Sequence, residues 1–190
     1  MSGLRERKKQ ATRAALADSA LRLCVERGVD GVTVEQVVTD AGVSLRTFFN
    51  YFSSKEEAIV EGDVATAAAF VAAFRERPPE EPVLEALRKA LLESVRPNRE
   101  RAVQLRALRR TPSLLPQQIA AWSAQERGLA AAVADRVGVD PDKDPYPLLL
   151  AAAVMATVRV VVDWWLADHD NRSLPDLVEV MIARLAVGFG

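Results

Sequence analysis

Apolar residues recur along the chain at spacings of three and four, and capping or turn-forming residues interrupt them at intervals that suit helices. Leu16, Ala20, Leu23 and Cys24 fall on one stripe, which predicts an amphipathic helix over residues 5–27 with Gly28 as its stop. Thr33 precedes a short apolar-periodic stretch, 34–40, and Gln36 three positions on completes the capping-box pattern, with Gly42 breaking the chain after Ala41. Ser44 caps a third stretch, 45–51. Ser54 opens a fourth, where Glu56 and Glu57 suit the positive end of the helix dipole and the apolar pattern runs to Phe74. Pro78, Pro79 and Pro82 mark a break; 83–95, 101–110 and 116–137 then read as helices separated by Pro97, by Thr111-Pro112 and by Gly138. Residues 140–147, with three prolines, read as a loop, 146–167 as a long apolar helix, and Ser173 caps a last one with Pro175 in its first turn. No stretch alternates at period two for long enough to predict a strand. The expectation is an all-α chain of nine helices: three in an N-terminal domain, residues 1–54, and about six in a bundle, residues 55–190.

With 190 residues, 49% of them apolar, the chain can bury a sizeable core. Its single cysteine, Cys24, cannot close an intramolecular disulfide, and its apolar surroundings read as a small buried hydrophobe. The basic N-terminus is followed by no apolar segment of signal type, since Ala14–Ala17 is cut by Asp18. The apolar run from Leu148 is interrupted by Arg159 and Asp163, short of the roughly 20 residues of a membrane span. These features point to a cytoplasmic protein without a membrane partner. The one histidine, His169, has no second His or Cys beside it to complete a metal site. Nucleophile-elbow, phosphate-loop and dinucleotide-binding glycine patterns are all missing, so neither an enzyme nor a cofactor is expected.

Charge is distributed unevenly. Residues 1–55 hold 9 Lys/Arg against 6 Asp/Glu, while the rest holds 16 against 20. Arg5, Arg7, Lys8, Lys9 and Arg13 crowd the start. Such a basic head suits either an anion such as nucleic acid or simple solvation.

The most informative segment is 33–55, two short helices joined by Ala41-Gly42-Val43, a helix-turn-helix pattern whose second helix can enter a major groove about 12 Å wide. Phe48 and Phe52, four apart, are expected to face inward with Val37 and Val43, leaving Leu45, Arg46, Phe49 and Asn50 outward. Arg can pair with guanine, Asn with adenine, and an apolar side chain can meet a thymine methyl.

The run from Gly31 through Thr33, Ala41-Gly42-Val43-Ser44, Phe48-Phe49-Asn50-Tyr51-Phe52 and Lys55-Glu56 resembles the DNA-binding domain of the TetR family of transcriptional regulators. That resemblance implies a homodimer on double-stranded DNA with a palindromic operator, released by a small-molecule effector. It implies a phosphate contact at Thr33, a groove-facing set of Ser44, Leu45, Arg46, Thr47 and Asn50, and phosphate grips at Tyr51 and Lys55. Phe49 stands where the family usually has Tyr, and Phe cannot hydrogen-bond a phosphate. A family member acting as an activator and a helical ligand-binding protein that has lost its operator are the alternatives.

In the remainder, Ala151–Ala153 with Ala156, and Leu177, Met181 and Leu185 at spacing four, suit a dimer interface or an intramolecular core. Arg159 and Asp163, one turn apart in an apolar helix, suit an ion pair at a surface or an arginine meeting an anionic ligand. Phe70, Phe74 and Trp122, with Trp164 and Trp165, are candidates for lining an apolar pocket or for core. The region from Trp122 to Trp165 resembles the C-terminal domain of mycofactocin-type regulators, which implies an apolar or amphipathic effector of acyl-CoA type.

Overall fold

A computed structural model describes residues 2–94, 111–167 and 172–188. Within them the chain forms eight α-helices and no strand. In chain order these are α1 (Ser2–Arg27), α2 (Val34–Ala41), α3 (Leu45–Phe49), α4 (Lys55–Glu76), α5 (Val83–Ser94), α6 (Leu115–Val137), α7 (Tyr146–Leu166) and α8 (Leu174–Ala186). A single 3-10 turn, Pro112–Leu114, leads into α6. The expected helix at 101–110 lies outside the described residues, as does His169; the other eight expected helices are all present. One end differs clearly: α3 stops at Phe49 rather than Tyr51, because the Tyr51 N–H bonds the Phe48 carbonyl at 2.9 Å, three residues back, and tightens the chain out of the α-helical ladder.

The chain divides into two compact units, residues 1–64 with 103–119, and residues 65–102 with 120–190. The division runs through α4 rather than before it, since Ala58 and Ile59 pack into the first core. That core gathers Leu16, Ala20, Leu23 and Cys24 from α1, Val37 and Val38 from α2, Phe48 and Phe52 from around α3, and Leu114. Burial pushes the Cys24 thiol up to about 11, which keeps it protonated and inert.

Two features shape the connection between α1 and α2. A Cβ at Gly31 would strike the Arg27 carbonyl, so the chain passes too close there for any side chain. From α4, the Lys55 Nζ donates to the carbonyls of Val29 and Val32, both at 2.6 Å, and the lysine side chain is only 18% exposed. Its ammonium thus satisfies carbonyls that no helix can reach.

In the second unit Phe70 and Phe74 of α4, Leu87 and Leu91 of α5, Leu129 and Val133 of α6, Ala151 and Val154 of α7, and Val178 and Ile182 of α8 form one core, with α8 packed against both α7 and α5. Leu177 is buried in it, and Met181 and Leu185 pack against it. Of the stripe read as a dimer interface or an intramolecular core, Leu177 is therefore core, while Met181 and Leu185 remain half-buried. The turn after α4 is closed by charge: Arg77 forks onto Glu81, Lys89 adds a bond at 2.8 Å, and Arg136 donates to the carbonyls of Arg77, Pro78 and Glu81 while lying over Phe74. By length and composition alone α7 could cross a membrane. Its Ala151, Val154 and Val161 instead pack in this core, while Leu149, Ala156, Val160 and Trp164 form an exposed stripe along the helix.

Two outcomes follow from these anchors. Lys55→Met removes both bonds to the α1–α2 connection, and amide exchange over residues 28–34 should quicken by an amount equivalent to about 2 kcal/mol, hydrogen bonds to charged groups being worth about that much; unchanged exchange would show the ammonium to be dispensable. The hydrogen bond from Arg77, then that from Lys89, holds the Glu81 carboxylate down at about 2, from an ordinary 4.5. A depressed carboxylate stabilises the fold above its unfolded value and loses that contribution as pH falls towards its folded value, so tryptophan-monitored stability should drop between pH 4.5 and 2. Glu81→Gln should flatten that drop and be less stable at neutral pH.

Candidate nucleic-acid interface

The sequence folds locally into two capped helices around one glycine. At the start of α2 the Gln36 N–H donates to the Thr33 hydroxyl at 3.4 Å while the Gln36 side chain accepts from the Thr33 N–H at 3.0 Å, the expected reciprocal cap. Gly42 ends α2 at φ 67°, in the left-handed region where a Cβ is disfavoured. Ser44 then caps α3 by accepting from the Thr47 N–H at 3.1 Å, with the two hydroxyls 2.9 Å apart.

Behind α3, Phe48 and Phe52 are 0% and 2% exposed and meet with ring centroids 5.7 Å apart. Val37 is fully buried beside them and Val43 packs at the margin. In front, Leu45 is 40% and Phe49 58% exposed, and Arg46 and Asn50 are exposed with them. Four side chains of differing chemistry therefore share one outward face: two apolar groups, a guanidinium and an amide. Among the described residues no carboxylate pairs with Arg46. Thr47 is half-buried and tied to Ser44, so both hydroxyls serve the cap first.

Three cations of the basic head have work inside the protein. Lys55 spends two of its three donors on Val29 and Val32, which leaves one for the phosphate contact that the family resemblance implies. Arg13, read as part of a basic arm, forks onto Glu61 of α4 at 2.5 and 2.7 Å, donates to the Tyr51 carbonyl at 3.3 Å, and lies 4.7 Å from the Phe52 ring centroid. Arg22 of α1 pairs with Asp40 of α2 and, with Ser19 assisting, holds that carboxyl below its usual range. Tyr51 is half-buried and packs against the first core. The Arg13–Glu61 pair escaped the sequence reading, although Arg13 stands three residues before Leu16 and so on the inward stripe of α1.

Of the candidate effector residues, the structure brings Trp122 and Arg159 together, with the guanidinium 5.5 Å from the indole ring. Arg159 and Asp163 are both exposed, one turn apart on α7, whereas Phe70 and Phe74 are buried core side chains. Among the described residues no cluster of His, Cys, Asp and Glu could hold a metal ion.

The family model of bacterial regulatory proteins of the TetR family matches residues 16–61, and the model of the MftR C-terminal domain matches residues 81–190. The HTH-type transcriptional regulator TcmR of Streptomyces glaucescens is 38% identical over 184 residues, covering 90% of this chain and 81% of that protein. Among solved structures, Thermus thermophilus FadR, a repressor crystallised with lauroyl-CoA, is similar with a TM-score of 0.60 and 21% identity, over 94% of this chain and 95% of its own. A transcriptional regulator from Aquifex aeolicus is similar with a TM-score of 0.53 and 22% identity, over 93% and 98%. With a DNA-binding domain and a C-terminal domain both matched, and the helix-turn-helix present in the fold, the chain belongs to the TetR family of transcriptional regulators.

Proposed function

We propose that the protein is a cytoplasmic, ligand-responsive repressor that binds a palindromic operator as a homodimer. The observation that carries this reading is the outward face of α3, which exposes Leu45, Arg46, Phe49 and Asn50 while Phe48 and Phe52 hold it from behind. Solvent alone gives no reason to expose a leucine and a phenylalanine beside an arginine on so short a helix. A major groove does: Arg46 reaches guanine O6 and N7, Asn50 reaches adenine, and Leu45 and Phe49 meet thymine methyls. Thr33, Ser44, Thr47 and Tyr51 supply hydroxyls at the edges of this face for phosphates, which fix register without reading sequence. Where the family usually offers a tyrosine hydroxyl, Phe49 offers only its ring.

A palindrome needs two heads at a fixed spacing. The pairing face we favour is the exposed stripe of α7, Leu149, Ala156, Val160 and Trp164, together with the exposed Val180 of α8 and Val187 just after it, in the same unit. The effector is apolar or amphipathic and is received by the second unit. An acyl-CoA suits it, since the matched C-terminal domain is of MftR type and a structural relative holds lauroyl-CoA. Arg159, set over Trp122, is the cation for an anionic group. Coupling passes along α4, which starts in one unit and ends in the other, so that DNA and effector favour different states of one helix.

Arg46→Ala should cost about 1 to 3 kcal/mol per half-site on the preferred duplex and relax base preference at one position of each half-site. Titrations of the preferred duplex and its single-base variants read this directly. Equal losses on the preferred and on random duplex would remove Arg46 from base reading.

A further inference from the structure

The end of α3 is tied back to the long helix α1 by one arginine. The helix closes only a single turn of α-helical hydrogen bonds before Asn50. The chain from there to Lys55 is non-helical and is held locally, by the Tyr51 and Phe52 N–H groups on the Phe48 carbonyl and by the Ser53 N–H and hydroxyl on Glu57. Arg13 meets that segment at two points, the Tyr51 carbonyl and the face of the Phe52 ring. The same guanidinium is held from its other side by both carboxylate oxygens of Glu61, whose side chain is 13% exposed, in a forked pair. The fork fixes the plane of the guanidinium, and the plane in turn fixes where the carbonyl and the ring can lie. A pair of this kind carries no net charge, which weakens what Arg13, 37% exposed, can offer a phosphate.

We propose that Arg13 is a positioning residue for DNA reading: clamped on Glu61, it sets the orientation of the recognition helix through Tyr51 and Phe52, and so governs base preference without touching DNA. The inference rests on the operator-binding reading. Base readout by a forked arginine tolerates misplacement of only about 0.5 Å, and a five-residue helix cannot keep that tolerance by its own hydrogen bonds. Phe48 and Phe52 fix its depth; the Arg13–Glu61 clamp fixes its end.

The sign of one substitution separates this from electrostatics. Glu61→Gln removes a negative charge of the DNA-binding unit and nearly preserves shape. By charge alone it would tighten binding to every duplex. Positioning requires the opposite on the preferred duplex. The experiment titrates full-length wild type, Glu61→Gln, Arg13→Met and the double variant against the duplex selected by wild type and against random duplex of equal length, at several salt concentrations. Each single variant is expected to lower the preferred-to-random ratio by about tenfold, and the double variant to be no worse than the weaker single, as one shared interaction demands. The ratio is insensitive to the fraction of each sample that is folded, since both titrations draw on the same sample, and the salt slope should not move. A slope shallower by about 1 for Arg13→Met, with equal losses on both duplexes, would make Arg13 a phosphate contact and overturn the proposal. An unchanged ratio for Glu61→Gln, or additive losses in the double variant, would overturn it as well. If wild type prefers no duplex, the operator-binding reading itself fails, before any variant is compared.

Discussion

Two phenylalanines, Phe48 and Phe52, carry the burial on which the recognition element depends. A helix of five residues is far below the length at which hydrogen bonds alone sustain it in water. Its persistence comes from side chains that pack into the first core beside Leu16, Val37 and Ile59. Removing a fully buried phenylalanine of this kind typically costs about 3 to 5 kcal/mol. Because the inward face takes all of that packing, the outward face is released from any structural duty. Leu45 and Phe49 can then stay exposed, which a solvated helix would not favour and a groove with thymine methyls would.

Around this plug the charges are arranged to hold backbone rather than to meet solvent. Lys55 fastens the connection before α2, Arg22 joins α1 to α2 through Asp40, and Arg13 joins α1 to α4 through Glu61. Their combined effect is that the two helices of the helix-turn-helix are each tied at a different point to the long helices that flank them. The net positive charge of residues 1–55 thus overstates what is available to phosphates, since three of its nine cations are engaged within the protein. Arg46, on the exposed face, is the cation best placed to read a base.

Much of this was legible in the sequence where the signal is local. Thr33, Ser44 and Ser173 are caps, and Gly42 is a left-handed turn, because each depends on neighbours within three or four residues. The outward quartet on α3 followed from helical period alone. What the sequence hid was long-range. The partners of Lys55 are carbonyls 23 and 26 residues away, which no spacing rule reaches. Arg13 is instructive because its place on the inward stripe of α1 was readable, yet a basic cluster invited a DNA-facing interpretation that its period argued against. Leu177, Met181 and Leu185 show the converse: period told that they share a face, but whether a neighbouring helix or a second chain covers that face depends on how the bundle closes.

Sequence-specific binding here rests on the outward face of α3, presented twice. The most direct measurement is selection of random duplex DNA by the purified full-length protein at near-physiological salt, with sequencing of what is retained and titration of the winner. The expected result is an enriched inverted repeat with half-sites about one helical turn apart, bound at least about a thousandfold more tightly than random duplex. Retained sequences without any enriched repeat, bound no better than random DNA, would contradict it.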